Sequence, residues 1–311
     1  MSLSAQYAPY PLDTNSTEAG FTRTELTTDL GVTVIHHKRT SSSTRATLFL
    51  HGAAGSWTTW TPMLTTADAS DAPIENPILL DLPGWGAATL TADPNSIDLE
   101  AGCAVVKECA EELGYTEWDV VGHSMGGFIA LHMGALWPQN VMSIGVISAT
   151  GRSIVASVGH PLRNFSRVPA FTLLWKGMSV LTALGFSGAR LIRLVRRLGL
   201  MRWFVSPLFR FPRRIDASVI NALGTELRPR PFTIAARLVR GYTLEEHWSA
   251  IQCPVRAVGG DSDVFSPVDD LRHLASVIPT SQVAILEDCG HFAAIERPHQ
   301  VLSALGYHAP V

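Results

Sequence analysis

Apolar residues along the chain fall into short runs of two kinds. Residues 22–28 and 32–38 read as a strand pair separated by Asp29-Leu30-Gly31. Residues 46–50, 77–82, 118–122 and 141–148 are apolar runs too short for helices, and they predict buried strands. Helical spacing marks residues 97–113 and 128–137. Further on, residues 254–258 and 282–286 predict strands, residues 267–277 a helix, and a closing helix starts at His291. Short buried strands separated by helices predict a mostly parallel sheet covered on both faces.

The alternation stops near Gly151. Residues 151–240 predict helices, rich in arginine and interrupted by prolines. The expected organisation is a core (1–150), a helical basic cap (151–240) inserted after the sixth strand, and the rest of the core (241–311). Composition agrees with a globular chain: 46% of the 311 residues are hydrophobic and 16% charged, which argues against disorder. The net charge of −3 gives no whole-chain case for nucleic acid, but it is unevenly placed. Residues 151–240 hold 16 of the 24 Lys and Arg against two acids, Asp216 and Glu226, a local charge of +14 on a body of −17.

The longest apolar run, residues 168–186, has Lys176 at its centre. Burying that ammonium at mid-bilayer would cost about 2.5–3.5 kcal/mol, so no transmembrane segment is expected. The N-terminus has neither a basic start nor an apolar stretch, and a cytoplasmic protein is expected. Cys103, Cys109, Cys253 and Cys289 form no C-x-x-C, and four reduced, packed thiols are expected. No motif calls for a metal or cofactor. The oligomeric state is not legible.

Chemistry is concentrated where strands end. Four segments each follow a predicted strand: His51-Gly52-Ala53, Gly122-His123-Ser124-Met125-Gly126, Gly260 to Pro267, and Gly290-His291-Phe292. G-x-S-x-G alone arises by chance in about one chain in ten of this length; four such segments in order are far more specific. A serine hydroxyl needs a base in reach, the base needs a group to hold its tautomer, and an oxyanion needs preorganised N–H donors. In a parallel sheet all of these gather beyond the carboxyl ends of the strands.

On these residues the chain resembles a capped α/β-hydrolase over roughly residues 30–150 and 241–306, in the family's order of serine, acid and histidine. The resemblance implies Ser124 as nucleophile, His291 as base, and the backbone N–H groups of Ala53 and Met125 as oxyanion hole. Asp81-Leu82-Pro83-Gly84-Trp85-Gly86 also resembles a family loop. Gly260 and Pro267 put Asp263 in the acid's slot, with Asp261 the alternative. A serine in the nucleophile position argues against the family's epoxide hydrolases and haloalkane dehalogenases, which use aspartate there. His51 is expected to brace the oxyanion loop, His123 to pack under the serine turn, and His36-His37 to be a solvated or packed pair.

The basic cap allows three readings: a solvated face, attraction to anionic membranes, or a site for an amphiphilic anion. For the last, Arg152 is the first candidate and Arg163 and Arg167 the next, with Trp175 and Phe265 as further substrate contacts. The layout is similar to bacterial monoalkyl phthalate ester hydrolases, which implies a small-molecule ester carrying a free carboxylate. Other chemistry on the same residues (lactonase, carbon–carbon bond hydrolase, perhydrolase, cofactor-free dioxygenase) stays open, as does a non-catalytic ligand receptor or membrane-surface binder.

Overall fold

Strands β1 (Thr22–Thr28), β2 (Gly31–His37), β3 (Arg45–Leu50), β4 (Pro77–Asp81), β5 (Glu117–His123), β6 (Val141–Ile147), β7 (Val255–Gly260) and β8 (Ser281–Leu286) form one sheet in a computed structural model that describes residues 6–307. The order is β1-β2-β4-β3-β5-β6-β7-β8. β1 and β2 pair antiparallel, as do β2 and β4; every later pairing is parallel.

The apolar runs reflect burial on both faces. Alternate residues of one strand enter opposite cores: Leu48 and Leu50 pack on one side and Phe49 on the other, and Val120 and Val146 oppose Val121 and Ile147 in the same way. Helices α1 (Thr61–Ala69), α2 (Leu99–Glu112) and α3 (Met125–Leu136) connect the first strands. Apart from its first residue, α3 is buried from Gly126 to Gly134, which explains why it is apolar all round. The four cysteines are free and buried.

Six helices follow β6: α4 (Arg152–Gly159), α5 (Pro169–Ala183), α6 (Phe186–Arg197), α7 (Met201–Val205), α8 (Ala217–Glu226) and α9 (Pro229–Leu238). α10 (Leu244–Trp248) leads back to β7, and α11 (Val268–Val277), α12 (Ala293–Glu296) and α13 (Pro298–Leu305) complete the chain. The inserted segment is tied at its start to a helix of the core. Buried Asp270 on α11 accepts from the Ser153 N–H (3.0 Å) and hydroxyl (2.7 Å) at the N-terminus of α4. No helix among the described residues is long and apolar enough to cross a membrane.

Candidate active site

β5 ends in a sharp turn. Ser124 has φ 52° and ψ −114°, a conformation that costs a non-glycine residue about 1–3 kcal/mol, and α3 begins at the next residue. The flanking glycines are demanded by close approach. A Cβ on Gly122 would lie 2.2 Å from the Gly126 carbonyl oxygen, and one on Gly126 1.9 Å from the Leu50 carbonyl oxygen. The turn is held from both sides: Ser124 N–H donates to Ile147 O (3.0 Å), and Thr150 N–H donates to Ser124 O (3.0 Å). The side chain is left bordering a cavity.

His291 borders the same cavity from the turn after β8. Its Nδ1 lies 2.9 Å from both Asp263 carboxylate oxygens, and Asp263 Oδ1 also accepts from the N–H groups of Phe265 (2.8 Å) and Ser266 (2.9 Å). Burial pushes the Asp263 carboxyl up, but the adjacent imidazole and these hydrogen bonds outweigh it and hold the group below the usual aspartate range. Asp261 is exposed and bonds to the N–H groups of Asp288 (3.1 Å) and Cys289 (3.2 Å), bracing the turn without touching His291.

Two further residues hold His291 in place. His123, packed beneath it, donates Nε2–H to His291 O (2.9 Å); burial, then His291, lowers its pKa to about 3, so it is neutral. Glu296, fully buried, went unrecognised in the sequence. Its carboxylate accepts from Tyr7 OH (2.6 Å) and from the N–H groups of Gly290 (3.0 Å), Phe292 (3.1 Å) and Arg210 (3.0 Å). It clamps both neighbours of His291 and joins them to the inserted segment and the N-terminal segment. Burial drives its carboxyl above the usual glutamate range despite these bonds. The only sequence signal was an acid inside the apolar stretch after His291.

The loop after β3 is fixed by His51, whose Nδ1–H donates to Gly52 O (2.7 Å) while Nε2 accepts from Leu82 N–H (3.0 Å). Burial lowers its pKa to about 4, which keeps this neutral form. Ala53 and Met125 border the cavity beside Ser124, and among the described residues neither N–H donates to a protein acceptor. At the end of β4, Asp81 accepts from Trp57 N–H and Ala87 N–H (2.9 Å each), and burial raises its pKa to about 6. Two residues at the α8–α9 junction then seize the loop that follows: Gly86 N–H donates to Glu226 (2.8 Å), and Arg228 donates to Gly84 O (3.0 Å) and Gly86 O (2.7 Å). Neither was singled out in the sequence. His36 is buried and stacks on Trp57, with 4.5 Å between centroids.

The cavity measures about 950 Å³ and lies between the strand ends and the inserted helices. Phe265 borders it and meets His291 edge-on, 5.0 Å between centroids. Among the described lining residues His291 alone is ionisable. This corrects the expectation for the arginines. Arg152, Arg163 and Arg167 are exposed and none borders the cavity, because the inserted helices turn their apolar faces inward and their charges to water. Trp175 is buried but does not border the cavity either; its ring packs under Lys176.

Residues 47–304 match the model of a family described as the alpha/beta hydrolase family. The chain is 27% identical over 276 residues to the 2-hydroxy-6-oxononadienedioate/2-hydroxy-6-oxononatrienedioate hydrolase of Klebsiella pneumoniae, covering 84% of this chain and 86% of that protein. Among solved structures it is similar to naproxen esterase (carboxylesterase NP) from Bacillus subtilis, with TM-score 0.66 at 15% identity and coverage of 94% and 90% of the two chains. The epoxide hydrolase CorEH aligns with TM-score 0.68 at 19% identity, covering 93% and 99%.

Proposed function

Because the chain belongs to the alpha/beta hydrolase family, we propose that it cleaves apolar carboxylic esters through an acyl-enzyme formed on Ser124. The observation that carries this reading is that Ser124 and His291, the latter bonded to Asp263, border one large cavity with an almost wholly apolar lining. Asp263 accepts the Nδ1–H of His291, which leaves Nε2 free to take a proton. Ser124 Oγ attacks the ester carbonyl as His291 Nε2 removes its proton. The tetrahedral oxyanion is held by the N–H groups of Ala53 and Met125, with the N-terminus of α3 adding its positive end. His291 then returns the proton to the leaving alkoxide. A water, activated by the same base, releases the acid.

The lining bears on the substrate. A carboxylate buried without a cationic partner is strongly disfavoured. A dioate of the kind named for the Klebsiella relative would bring two such groups into the cavity. The half-ester carboxylate of a monoalkyl phthalate would have to stay at the mouth, within the field of the basic segment. The lining therefore favours neutral, apolar acyl and alkyl groups. The test is a series of p-nitrophenyl esters of increasing acyl length, run beside monobutyl and dibutyl phthalate. Expected is a rise in kcat/KM of up to about fourfold per added methylene, from about 0.8 kcal/mol each, and no preference for the half-ester. A flat series, or a marked preference for monobutyl phthalate, would overturn the apolar reading.

A further inference from the structure

The rim of the cavity is made of apolar side chains that stay in water. Leu173, Val180, Leu184, Leu191, Trp203 and Phe204 all border the cavity and all are exposed, Trp203 to 79% and Leu173 to 64%. α6 extends the strip with exposed Phe186, Leu194 and Leu198. Single exposed leucines need no explanation, but a continuous apolar rim marks an interaction surface.

Charge narrows the partner. Residues 120–215 contain no aspartate or glutamate at all. Within that span α5 to α7 carry Lys176, Arg190, Arg193, Arg196, Arg197 and Arg202. Two of these cations lie over the Phe186 ring: the guanidinium of Arg190 is 4.1 Å from its centroid and that of Arg193 5.9 Å. A soluble anion would satisfy the arginines but leave tryptophan and leucines wet. A second copy of the chain would set this cationic face against itself. A surface that offers phosphates outside and hydrocarbon beneath satisfies both features together.

We propose that this face docks on anionic phospholipid bilayers, with the cavity opening into the headgroup region. The rim side chains enter the boundary between headgroups and acyl chains while the arginines pair with lipid phosphates. An ester dissolved in the membrane then reaches Ser124 without crossing water; this delivery rests on the hydrolytic reading, whereas the docking does not.

The experiment is vesicle flotation of the full chain carrying Ser124→Ala, so that binding is read without turnover. Binding is expected to vesicles of equal parts phosphatidylcholine and phosphatidylglycerol, and not to pure phosphatidylcholine. It should weaken as salt rises, since the screening length falls to about 3 Å near 1 M. Arg193→Gln with Arg197→Gln should weaken it by about fivefold per arginine. Leu194→Ser with Leu198→Ser should weaken it too. These four side chains are exposed and none borders the cavity, so both variants should fold and, with Ser124 restored, should turn over a short soluble ester as wild type does. Lys107→Gln on α2 should leave binding unchanged. Equal binding to both vesicle types, no binding to either, or a dimer in solution that the leucine variant dissociates would each overturn the docking. Binding with no ester turnover in the wild type would instead sink the hydrolytic reading alone.

Discussion

Asparagine at position 263 isolates what the acid contributes. In the wild type, Asp263 Oδ1 accepts the N–H groups of Phe265 and Ser266, and both carboxylate oxygens lie 2.9 Å from His291 Nδ1. Asparagine can keep its oxygen on the two backbone donors, so the loop after β7 retains its shape. Its NH₂ then meets His291, and Nδ1 has to become an acceptor. The imidazole proton moves to Nε2, the atom that takes the proton from Ser124 in the proposed mechanism. A wrong tautomer of this kind lowers kcat by about 10⁴, equivalent to about 5.5 kcal/mol of barrier. The assay is kcat on p-nitrophenyl butyrate, with circular dichroism to verify folding. Asp261→Asn is the control: that side chain is exposed and braces the turn after β8 through the N–H groups of Asp288 and Cys289 without touching His291, so its loss should leave the His291 tautomer, and the order of magnitude of kcat, unchanged. If Asp263→Asn kept activity within about tenfold of wild type, or Asp261→Asn lost as much, the assignment of Asp263 would be wrong.

Glu296→Gln should reduce stability by about 2–3 kcal/mol in urea unfolding and lower kcat, because glutamine cannot accept all four donors; Tyr7→Phe, which removes one of them, should cost about 1 kcal/mol. Equal losses would contradict the clamp. Asp81, raised to about 6 by burial, is still protonated in the folded state where the unfolded chain has already ionised, so its contribution to stability is complete below pH ~4 and is lost as pH rises through about 6. Relative to Asp81→Asn, the wild type should lose on the order of 3 kcal/mol between pH 4 and 7 in denaturant titrations, and a constant difference would refute the shift. Gly126→Ala would set a methyl 1.9 Å from the Leu50 carbonyl oxygen, so a large drop in Tm or an insoluble protein is expected and a wild-type Tm would contradict the packing.

Strands are legible because burial on both faces leaves an unmistakable apolar run: residues 77–82 predict a strand and β4 occupies Pro77–Asp81. Helical spacing begins at residue 128 whereas α3 starts at Met125, because its first turn is glycine laid against the backbone of β3, and glycine gives no helical signal. α1 leaves little signal in the sequence: Thr61–Ala69 is short and rich in threonine, with little spacing to detect. The single closing helix expected from His291 is two, broken at Arg297-Pro298. At the site, the residues that stand at strand ends were legible because motif and strand occur together in sequence. Glu296, Glu226 and Arg228 were not, since their partners lie far away along the chain and only folding joins them. The arginines misled because residue counts show how many charges a helix carries, not which way it faces.

The central claim is that Ser124 becomes covalently acylated. Wild-type protein mixed with a p-nitrophenyl ester and quenched early should carry the acyl mass on the peptide containing Ser124, and Ser124→Ala, folded as the wild type, should lose about 10⁴-fold or more in turnover and carry no such mass. An acyl adduct elsewhere, or turnover by Ser124→Ala within about tenfold of wild type, would contradict the account.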